Sequence, residues 1–290
     1  MKEFSLDYLR CVNCCSKLEL NVFSYQNEIQ EGMLECKKCQ SKFPIIEKIP
    51  IMWSDFSDYL ANRRSLGGQL FHSVSSKMKD YVKKSLIVQH KKMEDRTNLE
   101  LRWAGIYQKN HRSKFYSTIK KELEKMACSN FSLEYGCSIG IVTNSMADLN
   151  RTVFGIDQSF SAIKIAKTKK SKDNLDYFVA DLLSPVFGKQ KFDLIVALNL
   201  LELVEPLDFL THASSQVEKG SLVISDPYDY DRGKNSVKTP LDEKSLRQSL
   251  KNFGFKITKP TTRPSKIPWV LNLNSRATLN YKVDLVIAKK

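Results

Sequence analysis

Seven cysteines stand at positions 11, 14, 15, 36, 39, 128 and 137. Four of them form two CxxC pairs, Cys11 with Cys14 in LRCVNCCSKLEL and Cys36 with Cys39 in GMLECKKCQSKF. Each CxxC turn aims two thiolates at one ion, and two such turns at hairpin tips close a tetrahedral site with no open position. Four soft thiolates suit Zn2+. A closed site does no chemistry of its own, so the module reads as a scaffold or a recognition element. Cys15 reads as a spare thiol. An odd number of cysteines grouped in this way suits metal in a reducing compartment better than a disulfide framework.

A second constellation begins at Glu134-Tyr135-Gly136-Cys137-Ser138-Ile139-Gly140. An apolar-leaning run enters the two glycines and a helical pattern leaves them, and glycine lets the backbone come close to a ligand. Asp157 closes the run TVFGID, 17 residues beyond Gly140, where a carboxylate can accept hydrogen bonds from both hydroxyls of a ribose. Asp181 ends LDYFVAD, within reach of an adenine amino group, and Asn199 follows FDLIVAL. The candidate cofactor-binding residues are therefore Glu134, Gly136, Cys137, Ser138, Gly140, Asp157, Gln158, Asp181, Leu182 and Asn199. The loop does not follow the G-x-G-x-x-G spacing of dinucleotide sites and lacks a P-loop lysine, which argues against NAD and ATP. A fifth apolar run ends in Asp226-Pro227-Tyr228-Asp229-Tyr230-Asp231. Its carboxylates could bind a cationic or amine substrate, and Asp226 or Asp229 could accept a proton. Asp226, Tyr228 and Asp229 are the candidate catalytic residues. The bland alternative is an acidic turn exposed to water.

The elements that must position these residues read as three segments. Residues 1–56 hold the cysteines and end in FPIIEKIPIMW, a strand, a turn and a second short strand. Residues 57–130 form a basic helical connector of two to four helices, the last starting at Ser113 or Ser117. There Trp103, Tyr107, Phe115 and Tyr116 interleave with Arg102, Arg112 and Lys114. This pattern fits a lid over a cofactor, a base-stacking surface, or amphipathic helices packed on the next domain. His72 and His111 read as ordinary surface residues. Residues 131–290 alternate strand, loop and helix, which calls for a mostly parallel sheet with ligands at the carboxyl ends of its strands. FDLIVALNLLELV should hold the fourth strand and the start of a helix. FKITKPTTRP and YKVDLVIAKK read as two late antiparallel strands. The segment between them, RPSKIPWVLNLNSR with Arg263, Trp269 and Arg276, reads as a long loop that covers the substrate or packs on the zinc module.

Residues 8–53 resemble the short zinc-ribbon domain that, as a separate subunit, activates tRNA, rRNA and release-factor methyltransferases. The two cysteine pairs, Gly32 with Leu34, and the FPIIEKIPIM tail carry the likeness. The resemblance implies that a methyltransferase domain follows. EYGCSIG is similar to the first motif of class I S-adenosylmethionine-dependent methyltransferases, usually E/D-x-G-x-G-x-G, with Ser138 in place of the middle glycine. Asp157 matches that family's ribose-binding acid, Asp181 its adenine-side acid, and FDLIVALNLLELV its fourth-strand motif. The likeness spans residues 131–290 and implies that the glycine loop cradles the methionine part of the cofactor. The NPP[YF] sequence that marks many enzymes acting on amide or base nitrogens is absent. GCSIG, GIDQSFSAIKIA and the DPYDYD turn also resemble the domain that methylates a thiolated histidine in ovothiol synthesis.

The expected fold class is α/β: a Rossmann-like, doubly wound, mostly parallel sheet with a C-terminal antiparallel hairpin, preceded by a small zinc-ribbon β domain. The expected cofactors are S-adenosyl-L-methionine and Zn2+. Net charge is +14 over 290 residues, and residues 61–130 carry most of the excess, with 16 basic against 6 acidic side chains. Such a stripe attracts polyanions or simply solvates helices. No apolar run reaches the ~20 residues of a membrane span, and the first residues do not read as a secretory signal, so a soluble, cytoplasmic protein is expected. Three readings follow. The first is a methyltransferase of small molecules. The second is an RNA or protein methyltransferase that grips its substrate with the ribbon and the basic connector. The third is a cofactor-binding scaffold without catalysis.

Overall fold

The computed structural model describes residues 1–88, 93–169, 172–231 and 237–290. In chain order its elements are β1 (Glu19–Gln26), β2 (Glu28–Glu35), β3 (Lys42–Ile46), β4 (Ile49–Met52), α1 (Phe56–Ala61), α2 (Arg64–Ser73), α3 (Ser76–Ile87), α4 (Thr97–Lys109) and α5 (Lys114–Glu124). There follow β5 (Phe131–Tyr135), α6 (Ile141–Leu149), β6 (Thr152–Asp157), α7 (Phe160–Thr168), β7 (Leu175–Ala180), β8 (Leu194–Leu198) and α8 (Pro206–Ser215). The chain ends with β9 (Ser221–Asp226), α9 (Glu243–Asn252), β10 (Lys256–Ile257), β11 (Ile267–Asn274) and β12 (Ala277–Lys289). It forms two compact units, Met1–Gly105 with Ile156–Gln190, and Ile106–Gly155 with Lys191–Lys290. No helix among the described residues is long and apolar enough to cross a membrane.

In the first unit, β1 to β4 form an antiparallel meander. The β3–β4 turn is made by Glu47 and Lys48, both at positive φ, the geometry of a tight hairpin whose twist matches its strands. Phe43, Ile45, Ile46, Ile49 and Ile51 are fully buried. Strand β4 then pairs in parallel with β7, Ile51 beside Val179 and Met52 beside Ala180. The cysteine-bearing ribbon is thus continuous with a strand of the α/β alternation. Three further contacts join them. The Lys2 N–H and the Ser5 hydroxyl donate to Asp176 at 2.8 and 2.7 Å, and the Arg10 N–H donates to the Val186 carbonyl at 2.8 Å.

In the second unit, β5, β8 and β9 run parallel. Their inner residues, such as Leu133, Ile195, Val196 and Leu222, are buried, as strands covered on both faces require. The long β12 turns antiparallel beside β9, Asp284 opposite Asp226, and carries β10 on its other side. This is the expected Rossmann-like class with an antiparallel C-terminal element.

Three local expectations change. Among the described residues the connector contains five helices, α1 to α5, rather than two to four. Residues 89–92 of it lie outside the described residues. Ser113 does cap α5, its hydroxyl facing the Tyr116 N–H at 3.4 Å. After β8 the chain makes a turn, and α8 begins only at Pro206, where proline's missing N–H is not needed. The expected loop around Trp269 is strand β11, paired with β12 from Ile267↔Val283 to Asn274↔Ala277. Alternation explains it: Trp269 and Leu271 are buried while Pro268 and Val270 are exposed.

Candidate metal centre and cofactor site

The four thiols of Cys11, Cys14, Cys36 and Cys39 lie within 4.8 Å of one another. Cys11 Sγ stands 3.4 Å from Cys39 Sγ, and Cys14 Sγ 3.4 Å from Cys36 Sγ. A tetrahedron with metal–sulfur bonds of ~2.3 Å has edges of about 3.8 Å, so the set fits one ion. The two turns share one backbone design. The residue after each second cysteine, Cys15 or Gln40, is left-handed and donates its N–H to the carbonyl of the first. The Cys11 and Cys36 N–H groups then donate to the Ser16 and Ser41 carbonyls, each at 2.9 Å. Cys15 is exposed and takes no part in the cluster.

The glycine loop leaves β5 in the second unit. Gly136, Ser138 and Gly140 all have positive φ, so the chain turns sharply and α6 starts at once. A Cβ on Gly136 would stand 2.4 Å from the Leu200 side chain, which explains the glycine there. Ser138 takes the same left-handed form with a side chain, a conformation that costs L-residues about 1–2 kcal/mol. Glu134 is 3% exposed and accepts a short hydrogen bond from the Thr143 hydroxyl on α6. Thr143 thereby ties the strand before the loop to the helix after it. Asn199, also left-handed, receives the Ser225 hydroxyl at 3.0 Å and donates its N–H to the Ser225 carbonyl at 2.7 Å.

The acids of the ribose and adenine motifs belong to the first unit. Asp157 is the last residue of β6 and accepts the Ser159 N–H at 2.8 Å. Gln158 follows it, and Ser159 caps α7 through the Ala162 N–H. Asp181 directly follows β7, is exposed, and accepts the Leu183 N–H at 2.8 Å; Leu182 lies between. The expected placement at carboxyl ends of strands holds for Asp157, Asp181, the glycine loop, Asn199 and Asp226.

The acidic turn is internally braced rather than open. Asp226 is fully buried and accepts the Leu201 N–H at 3.0 Å on one oxygen and the Tyr228 N–H at 2.7 Å on the other. It joins the loops after β8 and β9. Tyr228 is left-handed, and its hydroxyl donates to Asp284 at 2.9 Å. Burial, with Asp284 adding to it, pushes the Tyr228 phenol far above its ordinary range. Asp284 also holds Arg247 at 2.6 and 3.1 Å, and both are buried. Asp229 is half-buried and accepts the Tyr281 hydroxyl at 3.2 Å.

The aromatic residues of α4 and α5 mostly pack inward. Tyr107 stacks on Trp269 with centroids 6.2 Å apart, Phe115 lies 5.3 Å from Trp269, and Tyr281 lies 5.6 Å away. A cavity of about 440 Å3 opens beside the α4–α5 turn, lined by Lys109, Arg112, Lys114, Val270 and Asn272 among others. Four residues important to these loops carried no sequence signal: Thr143, Arg247, Asp284 and Tyr59, whose hydroxyl reaches the loop after Asp157. Their partners are distant in sequence or on another element, and no motif spacing marks them.

Residues 133–225, about a third of the chain, match the family model described as a methyltransferase domain. The segment has the class I methyltransferase fold. A ubiquinone biosynthesis O-methyltransferase from Pelagibacter ubique (strain HTCC1062) is 38% identical over 91 residues, 30% of this chain and 37% of that protein. The namesake from Brucella ovis is 31% identical over 94 residues, 31% of this chain and 38% of that protein. This chain thus matches less than two-fifths of the length of these relatives. Among solved structures, a complex between the Haloferax volcanii Trm112 methyltransferase activator and a putative methyltransferase is similar in fold. Its TM-score is 0.54 at 12% identity, over 67% of this chain and 96% of that chain.

Proposed function

We propose that the protein transfers a methyl group from S-adenosylmethionine to a small molecule. The observation that carries this reading is the run of left-handed residues Gly136, Ser138 and Gly140 directly after β5, at the start of the segment that matches the methyltransferase model. Asp157 takes the two ribose hydroxyls, Asp181 and Leu182 the adenine side, and the loop from Gly136 to Gly140 the methionine part. When bound, the cofactor would supply a methyl carbon made electrophilic by its sulfonium, open to in-line attack by an acceptor lone pair with the thioether as leaving group. The protein's task is then alignment. Asp226 holds the loops after β8 and β9, and in this reading Asp229 is the acid that meets the acceptor or its proton. Relatives named as O-methyltransferases favour a small acceptor.

In this proposal residues 1–56 are a zinc ribbon, residues 57–130 a connector and residues 131–290 the catalytic domain. Cys11, Cys14, Cys36 and Cys39 hold structural Zn2+, since four thiolates leave no coordination position for chemistry. Titration calorimetry of the zinc-loaded protein with S-adenosylmethionine tests the reading. One micromolar site is expected, and Asp157→Ala is expected to bind at least 100-fold more weakly, on the order of 3 kcal/mol. Equal binding by that variant would misplace the site.

A second reading, a macromolecular acceptor, draws on the cavity at Lys109, Arg112 and Lys114, whose lining includes no acid. Retention on RNA that falls steeply between 50 and 200 mM salt, about 10-fold or more, would support it. Retention independent of salt would remove it.

A further inference from the structure

The loop between β6 and α7 has only two residues, Gln158 and Ser159, and Asp157 stands at its entrance. Gln158 is half-buried and Ser159 and Phe160 are buried, so the backbone polar groups here need partners. One is local: the Asp157 carboxylate accepts the Ser159 N–H. Two come from far earlier in the chain. The Tyr59 hydroxyl donates to the Gln158 carbonyl at 3.0 Å and accepts the Phe160 N–H at 3.2 Å. The Phe160 N–H is the first of α7, a group that no helix satisfies from within. A single phenol therefore pins both sides of Ser159.

Tyr59 is itself held. It is fully buried on α1, and the Arg63 guanidinium lies 4.4 Å from its ring centroid. Arg63, 1% exposed, pairs with Glu100 at 2.8 Å and donates to the Tyr59 carbonyl. Trp53 stands 5.2 Å from the Tyr59 ring. The helix that bears this phenol starts at Phe56, four residues after β4 ends. The segment following the cysteine ribbon thus reaches the loop of the ribose acid directly.

We infer that Tyr59 is a positioning residue for the cofactor's ribose: its hydroxyl fixes the backbone on which Asp157 sits. The inference rests on the cofactor reading above and deepens it. Tyr59 touches no cofactor atom in this scheme; it acts through Gln158 and Phe160. A carboxylate that must meet two hydroxyls at once depends on a fixed backbone, so loosening the loop should blunt recognition of the ribose more than of the rest of the cofactor.

The test compares wild type with Tyr59→Phe, which removes one oxygen and keeps the ring. Calorimetry measures the affinity of the zinc-loaded proteins for S-adenosylhomocysteine and for its 2′-deoxy analogue. Tyr59→Phe should bind S-adenosylhomocysteine about tenfold more weakly, the weight of one hydrogen bond, and should lose most of the preference over the deoxy compound. A role confined to stability would leave that preference unchanged, and this result overturns the inference. Failure of wild type to bind either compound overturns the cofactor reading and this inference with it. Amide hydrogen exchange gives an independent readout. The Phe160 amide should exchange faster in Tyr59→Phe while the Ile163 amide, bonded to the Ser159 carbonyl, stays protected. Equal protection of Phe160 in both proteins would also overturn it.

Discussion

At the scale of single residues, the site is built from exceptions to ordinary backbone geometry. Ser138 is the clearest. The methyltransferase motif ordinarily has glycine there, and the positive φ of Ser138 shows the physical reason: the turn needs a left-handed residue. Ser138→Gly should therefore raise stability by about 1 kcal/mol and leave cofactor affinity equal or higher, as read by thermal melting and calorimetry. A loss of affinity would mean that the Ser138 side chain itself holds the ligand. Asn199 meets the same demand with a side chain that tolerates it, and Gly136 meets it because a residue without a Cβ adopts positive φ freely. These positions were legible in the sequence because their requirement is local. The two CxxC turns were legible for the same reason. The position of Asp226 at the end of β9 was legible, but its burial was not: whether a carboxylate faces solvent or two backbone N–H groups depends on loops brought together by the fold.

At the scale of elements, the alternation of apolar runs placed β5 to β9 correctly, and the misread segment is instructive. RPSKIPWVLNLNSR has two prolines and five basic or amide side chains, a composition that favours a loop. Its core alternates, and alternation won: Pro268 sits on the exposed face, while Trp269 and Leu271 point inward. Trp269 then becomes the hub for Tyr107, Phe115 and Tyr281. Replacing it with alanine should destabilise the second unit by about 3–5 kcal/mol, seen as a lowered denaturant midpoint. A change below about 1 kcal/mol would show that β11 is peripheral. Nothing in the sequence pairs Trp269 with Tyr107, since the contact is made across the fold. The periodicity marks the connector as helical but not its number of helices, because α1 to α3 are short and separated by only two residues each.

At the scale of the whole molecule, the chain visits the first unit twice. Residues 1–105 leave it incomplete, and residues 156–190 return to finish it. The sequence suggests a boundary after the cysteine ribbon; β4, the ribbon's last strand, has a partner, β7, beyond the connector and β5 and β6 in the sequence. A fragment of residues 1–56 loaded with zinc should therefore self-associate or aggregate, because β4 would present an unpaired edge. Sedimentation should find it larger than a monomer, and a stable soluble monomer would contradict this. The same pairing sets an order of events during synthesis. Ile51 leaves the ribosome long before Val179 exists, so the cysteine turns can close while the strand beside them still waits. Non-local pairing of this kind is slow. The nascent protein must keep that edge from other chains until β7 emerges.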